Sequence, residues 1–147
     1  MKKKTLIIIL AALVVIATVL AIIVSKNQPS KSVSEVIIMQ GGKETKVDLG
    51  KLQLTDVKAT VTRANGKTIE IDSKGIELKD LLAEYRGFTT ITVNAEDNYS
   101  AELKADELQT EKNVYLILGE ENKPRLMVLS DSNAKRDVKN VLSLELK

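Results

Sequence analysis

Cysteine and histidine are both absent from the 147 residues. Without thiolate or imidazole there is no disulfide framework, no Cys/His metal site and no nucleophilic triad built on His or Cys. An exported protein of this composition suits a bacterial cell surface that does not rely on disulfide stapling. Tryptophan is missing too, and one Phe with three Tyr make up the aromatic complement. That scarcity removes the platforms a sugar-cleaving cleft needs, and the rings that interleave with basic side chains on a nucleic-acid surface. Glycine is sparse, and no phosphate loop occurs: Gly41-Gly42 lacks the following helix and its Lys-Ser/Thr.

What is present is unevenly placed. Leu6 to Val24 is a run without charge, in which Thr18 is the one hydroxyl. A helix of that length spans about 28 Å, close to the hydrocarbon thickness of a bilayer. The run is longer than the apolar core of a signal peptide, and Ala21-Ile22-Ile23-Val24-Ser25-Lys26 offers no Ala-x-Ala cleavage site. The expectation is an uncleaved transmembrane signal-anchor over 6–24, with the lipid bilayer as partner. Lys2, Lys3 and Lys4 assign residues 1–5 to a cytoplasmic tail. Residues 25–34 then form a polar linker containing Pro29, and 35–147 an extracytoplasmic domain. Setting aside Lys2, Lys3, Lys4 and Lys26 leaves 18 of the 22 basic side chains against 20 acidic ones. The folded part is therefore slightly acidic, which argues against a nucleic-acid partner.

Strand signals begin at Glu35. Val36 to Gln40 and Lys43 to Val47 flank Gly41-Gly42, a two-residue hairpin connection needing positive φ. Val57, Ala59 and Val61 alternate with polar residues before Asn65-Gly66, and Ile69 and Ile71 return. The stretch from Gly75 opens as a short amphipathic helix, in which Leu78, Leu81, Leu82 and Tyr85 fall at helical spacing and predict one buried face. Thr90 to Asn94 has a period of two, Asp97-Asn98 supplies a turn, and Ala105 to Leu108 a helical turn. Asn113 to Leu118 is a continuous apolar run, the pattern of a central strand covered on both faces. Arg125 to Leu129 follows a polar turn, Asp131 to Asp137 is a long loop, and Leu142, Leu144 and Leu146 are assigned to one face of a last strand. The expected class is α+β: a transmembrane helix, then one small mainly-β domain of about eight strands and one clear helix.

From Gly75 onward these signals resemble the molybdopterin-binding domain of the sulfite-oxidase type. The matching stretches are Gly75 to Leu82, Asp97-Asn98-Tyr99, Glu107-Leu108, Val114 to Leu118, Pro124 to Val128 and Val138 to Leu142. The resemblance implies the small C-terminal core of that fold. In the family a cysteine ligates molybdenum, and histidine and arginine hold the pterin phosphate. This chain has no Cys or His, so no molybdopterin and no other cofactor is expected.

The best candidate site is Asp97-Asn98-Tyr99, where a carboxylate, an amide and a ring sit within three residues of one turn. The competing reading is a β-turn whose Tyr packs on its neighbours. Because the turn joins two strands, it is expected to be better preorganised than the loop Asp131 to Asp137. Arg125 is a candidate for an anionic ligand, helped by Arg136, against the plainer reading of an edge-strand charge paired with an acid. Asp131-x-Asn133 lacks the glycine and distal glutamate of a calcium loop and reads as a solvated turn. Glu96, Asp97, Glu102, Asp106 and Glu107 read as a solvated acidic face. The expectation is a membrane-anchored, extracytoplasmic, non-catalytic binding or accessory module for an envelope protein or small molecule. The alternative is a redox accessory protein that binds a cofactor or an oxidoreductase partner.

Overall fold

The computed structural model describes Ala11, Ala12 and residues 32–147. Apart from those two alanines the expected span 6–24 lies outside the described residues, as does most of the expected linker. Among the described residues no helix is long and apolar enough to cross a membrane.

Residues 32–147 are a mainly-β unit of nine strands and one short α-helix. The strands are β1 (Glu35–Gln40), β2 (Lys43–Asp48), β3 (Thr55–Thr62), β4 (Thr68–Glu77), β5 (Thr90–Ala95), β6 (Ser100–Lys104), β7 (Val114–Leu118), β8 (Pro124–Val128) and β9 (Val141–Leu146). One sheet has the order β2-β1-β9-β5-β6, with β1 and β9 parallel; the other is β3-β4-β7-β8 and antiparallel throughout.

Gly41 and Gly42 take φ of 58° and 80° in the β1–β2 turn, as a primed two-residue hairpin requires. The main core is built from alternate residues of both sheets. Val36, Ile38, Ile91, Val93, Leu103, Leu144 and Leu146 come from the first, and Val114, Leu116, Leu126 and Val128 from the second. Each such side chain contributes roughly 1.5–3 kcal/mol by leaving water. The expected central strand is β7, and its alternation feeds two clusters. Tyr115 and Ile117 face the other way, joining Met127 from β8 beneath Val57, Val61 and Ile71 of the β3–β4 hairpin. β4 pairs with β7 only over Gly75–Glu77, so the rest of the hairpin is an arm whose apolar face lies on β7 and β8.

Two expectations change. The helix α1 (Leu78–Leu81) is a single turn, continued by tighter turn bonds from Ala83 N–H to the Asp80 carbonyl and from Tyr85 N–H to the Leu82 carbonyl. Its apolar face is still used: Leu78 and Leu82 are buried, and Leu81 and Tyr85 are half-buried against the same core. Gly75, expected to open that helix, lies in β4, where a Cβ would stand 2.7 Å from Ile117 Cγ2 and 2.8 Å from the Leu116 carbonyl oxygen. The glycine lets two backbones approach. The second change is in β9. Asn94 pairs with Ser143 but Ala95 pairs with Val141, so Leu142 is an extra residue in a bulge. The bulge flips the alternation, and Val141 rather than Leu142 joins Leu144 and Leu146 in the core.

Candidate functional site

Asp97, Asn98 and Tyr99 close the β5–β6 hairpin. Ala95 N–H donates to the Tyr99 carbonyl at 2.8 Å, Tyr99 N–H donates to Asp97 Oδ1 at 3.1 Å, and Asn98 takes the left-handed φ of 66°. Asp and Asn are the residues that tolerate these positions. The Tyr99 side chain is 44% exposed, and its hydroxyl donates to the carbonyl of Lys135 in the loop that follows β8. Asp97, Tyr99, Ala134, Asp137 and Lys139 line a cleft of about 320 Å³ between turn and loop.

The loop is held from several sides. Arg125 on β8 grips Asp137 with both ends of its fork, Nε to Oδ1 at 2.8 Å and Nη2 to Oδ2 at 2.6 Å. Arg63, at the tip of the β3–β4 arm, reaches the same Asp137 at 3.4 Å and donates Nη1 to the carbonyls of Asp131 and Asn133. Ala64 N–H adds a bond to the Ser132 carbonyl at 2.7 Å. Arg136 forks onto Asp131 and extends Nη1 to Glu107 at 2.6 Å. The Asp137 bond raises Arg125 above its ordinary range against the opposing effect of burial. Arg136 is raised likewise, first by Asp131 and then by Glu107. Burial alone would raise the Glu107 carboxyl, but the Lys104 N–H and the Arg136 guanidinium outweigh it and hold it below its ordinary 4.5.

Asp97 and Tyr99 therefore share a cleft. Arg125 meets it through Asp137, while Arg136 is turned toward Asp131 and Glu107. Asp131 is not a solvated turn residue, because its carboxylate is taken by Arg136. Nor is the acidic face wholly solvated: Glu107 serves Arg136, and Glu96 lies 3.4 Å from Lys123. Arg63, Asp137 and Lys139 were not singled out from the sequence. The one signal for Arg63 was its place beside the Asn65-Gly66 turn, where a charge is ordinarily solvated; here it is 8% exposed.

The stretches on which the expected molybdopterin-domain resemblance rests fall in β4 into α1, the β5–β6 turn, the turn after β6, β7, β8 and the start of β9. Among the described residues no group of three or more acidic side chains is placed to hold a metal ion. Comparison with protein-family models and with curated proteins finds no match.

Proposed function

We propose that this chain is a single-pass membrane protein that displays a non-catalytic binding module on the outer face of the membrane. Support for the anchor comes from the uncharged run 6–24 with lysines on both sides, and for the orientation from Lys2, Lys3 and Lys4. The observation that carries the binding role is Tyr99. An aromatic ring left 44% exposed, tied by its hydroxyl to a facing loop and flanked by Asp97 and Lys139, is a rigid amphipathic contact of the kind interfaces use. Absence of Cys and His supports the non-catalytic reading.

A photo-cross-linking residue in place of Tyr99, in the full-length chain expressed in cells, tests both parts. The expected result is a discrete adduct from position 99 and none from Lys58 on the far arm, with the adduct degraded by protease added to intact cells. Equal labelling from both positions would remove the binding role, and protection from external protease would remove the topology. A purified chain with pterin or flavin absorbance would move the reading to the redox class.

A further inference from the structure

Each sheet has two edges, and they are not protected alike. The β8 edge is met by Val138, which exchanges backbone bonds with Leu126. On β3, Asp56 and Lys58 are each paired across the hairpin, with Lys74 and Asp72. The β6 edge is closed at one end, where Lys104 N–H donates to Glu107 Oε1 at 2.9 Å. β2 has none of these devices. It contains no proline and no bulge, and its register with β1 runs unbroken from Lys43 to Asp48. Lys43, Glu44 and Lys46 are exposed and, among the described residues, form no ion pair.

The two-residue turn makes Gln40 and Lys43 a hydrogen-bonded pair, and such pairs recur at every second position of an antiparallel ladder. Thr45 and Val47 therefore bond inward to β1. Glu44 and Lys46 turn their N–H and C=O outward, where among the described residues no strand pairs with them. Their side chains carry opposite charges two residues apart. For an antiparallel copy of the same strand, the register centred on Thr45 sets Glu44 opposite Lys46 and Lys46 opposite Glu44. Moving the centre to Glu44 or to Lys46 places like charges opposite each other, which is destabilising. Centring on Val47 leaves Glu44 without a counter-charge and needs Asp48, whose Oδ1 already accepts from Ser34 Oγ and Gly50 N–H. Charges of one sign along an edge repel a second edge, whereas charges of alternating sign select one register of it.

We propose that β2 is a homodimer edge: two copies of this chain join β2 to β2, antiparallel about a twofold axis at Thr45, so that their five-stranded sheets become one. Each Glu44–Lys46 pair exchanges both of its backbone hydrogen bonds and adds a cross-strand ion pair. Main-chain bonds give an added strand its affinity, and the charges fix its register. The twofold axis repeats the pair, so a single strand supplies a self-complementary contact. This interface lies at the opposite edge of the sheet from the β5–β6 turn and stands or falls apart from the binding reading of Tyr99.

The absence of cysteine makes the test direct. Opposed Thr45 residues form a non-hydrogen-bonded pair with Cα atoms about 4.5 Å apart, within the span of a disulfide. The full-length Thr45→Cys chain is co-expressed with two different epitope tags, and the broken cells are treated with a mild oxidant. A disulfide-linked dimer containing both tags is expected, in clear excess over that from Thr60→Cys, which lies exposed on the β3 edge. Adding Glu44→Lys or Lys46→Glu to Thr45→Cys turns both ion pairs into repulsions and should lower the yield about five- to thirtyfold. Co-expressing the two charge-reversed chains restores opposite charges and should return the dimer, which also shows that both variants fold. A Thr45→Cys yield no greater than that of Thr60→Cys, a yield indifferent to charge reversal, or no recovery on co-expression overturns the proposal.

Discussion

Two walls face each other across the cleft, and they are rigid for opposite reasons. The Asp97-Asn98-Tyr99 turn holds itself, through an Asp97 side-chain bond, a left-handed Asn98 and the closing Ala95–Tyr99 bond. The loop from Asp131 to Asp137 has local bonds as well, Asn133 Oδ1 accepting from Lys135 N–H and Asp137 N–H donating to the Ala134 carbonyl. Its position, however, is fixed from outside, by arginines on the β3–β4 arm, on β8 and within the loop, and by Glu107 after β6. Sequence reasoning ranked the turn as the better preorganised wall. The structure gives the loop the larger number of long-range ties, so preorganisation here is a tertiary property.

The sharpest way to break the comparison is Asp137→Ala. Removing the one carboxylate between Arg63 and Arg125 leaves one buried and one partly buried guanidinium without a counter-ion, and a broken buried pair costs about 3–5 kcal/mol. Urea unfolding should show that loss, and a change below 1 kcal/mol would mean the loop stands without its clamp. Arg136→Met should cost less, about 1–2 kcal/mol, because Arg136 and its partner Glu107 are both roughly a quarter exposed. Hydrogen exchange confined to the loop is the signature to look for, and exchange spread through β5 and β6 would contradict a local role.

On the turn side, Tyr99→Phe removes only the hydroxyl bond to Lys135 and is expected to cost about 0.5–1.5 kcal/mol. A larger fall in the melting temperature, with the cross-linked adduct at 99 unchanged, would make the ring a packing residue. Asn98→Gly should shift stability by less than about 0.5 kcal/mol, since glycine accepts φ of 66° freely. A loss above 1 kcal/mol would show that the Asn98 side chain matters to the turn. Acid titration gives the finest comparison. Glu107 has a folded-state pKa below its ordinary 4.5, so its stabilising contribution is full above 4.5 and is lost as pH falls through the depressed value. Wild type should therefore lose stability on acidification below 4.5 slightly more steeply than Glu107→Gln. Parallel curves would mean that Arg136 does not hold the carboxylate.

Local signals were legible throughout. Gly41-Gly42 gave the hairpin, Asn113 to Leu118 the central strand, and Asp97-Asn98 the turn, because each depends on residues within a few positions of one another. What escaped was non-local or a matter of one-residue register. Leu142 looked like a core residue until the bulge opposite Asn94 and Ala95 reversed its face. Gly75 looked like a helix start, because nothing nearby reveals that Ile117 needs the space of its missing side chain. Arg63 and Asp137 stand far apart in the chain, and no period links an arm tip to a loop. The site was half visible for the same reason: the wall built by a turn could be read, and the wall built by long-range charge pairing could not.

The parallel pairing of β1 with β9 has a kinetic consequence. Ile37 lies against Ser143 and Gln40 against Leu146, so the second strand of the domain's first sheet to flank β1 is the last one synthesised. Joining them closes a loop on the order of one hundred residues, an entropic toll that local hairpins avoid. The β1–β2 and β3–β4 hairpins are free to form early, but the first sheet stays in two pieces until β9 arrives between β1 and β5. Folding should therefore be slow for a chain of this size and close to all-or-none. Loss of even the last few residues would leave an exposed edge on β1 and another on β5, each open to pairing with a neighbouring chain.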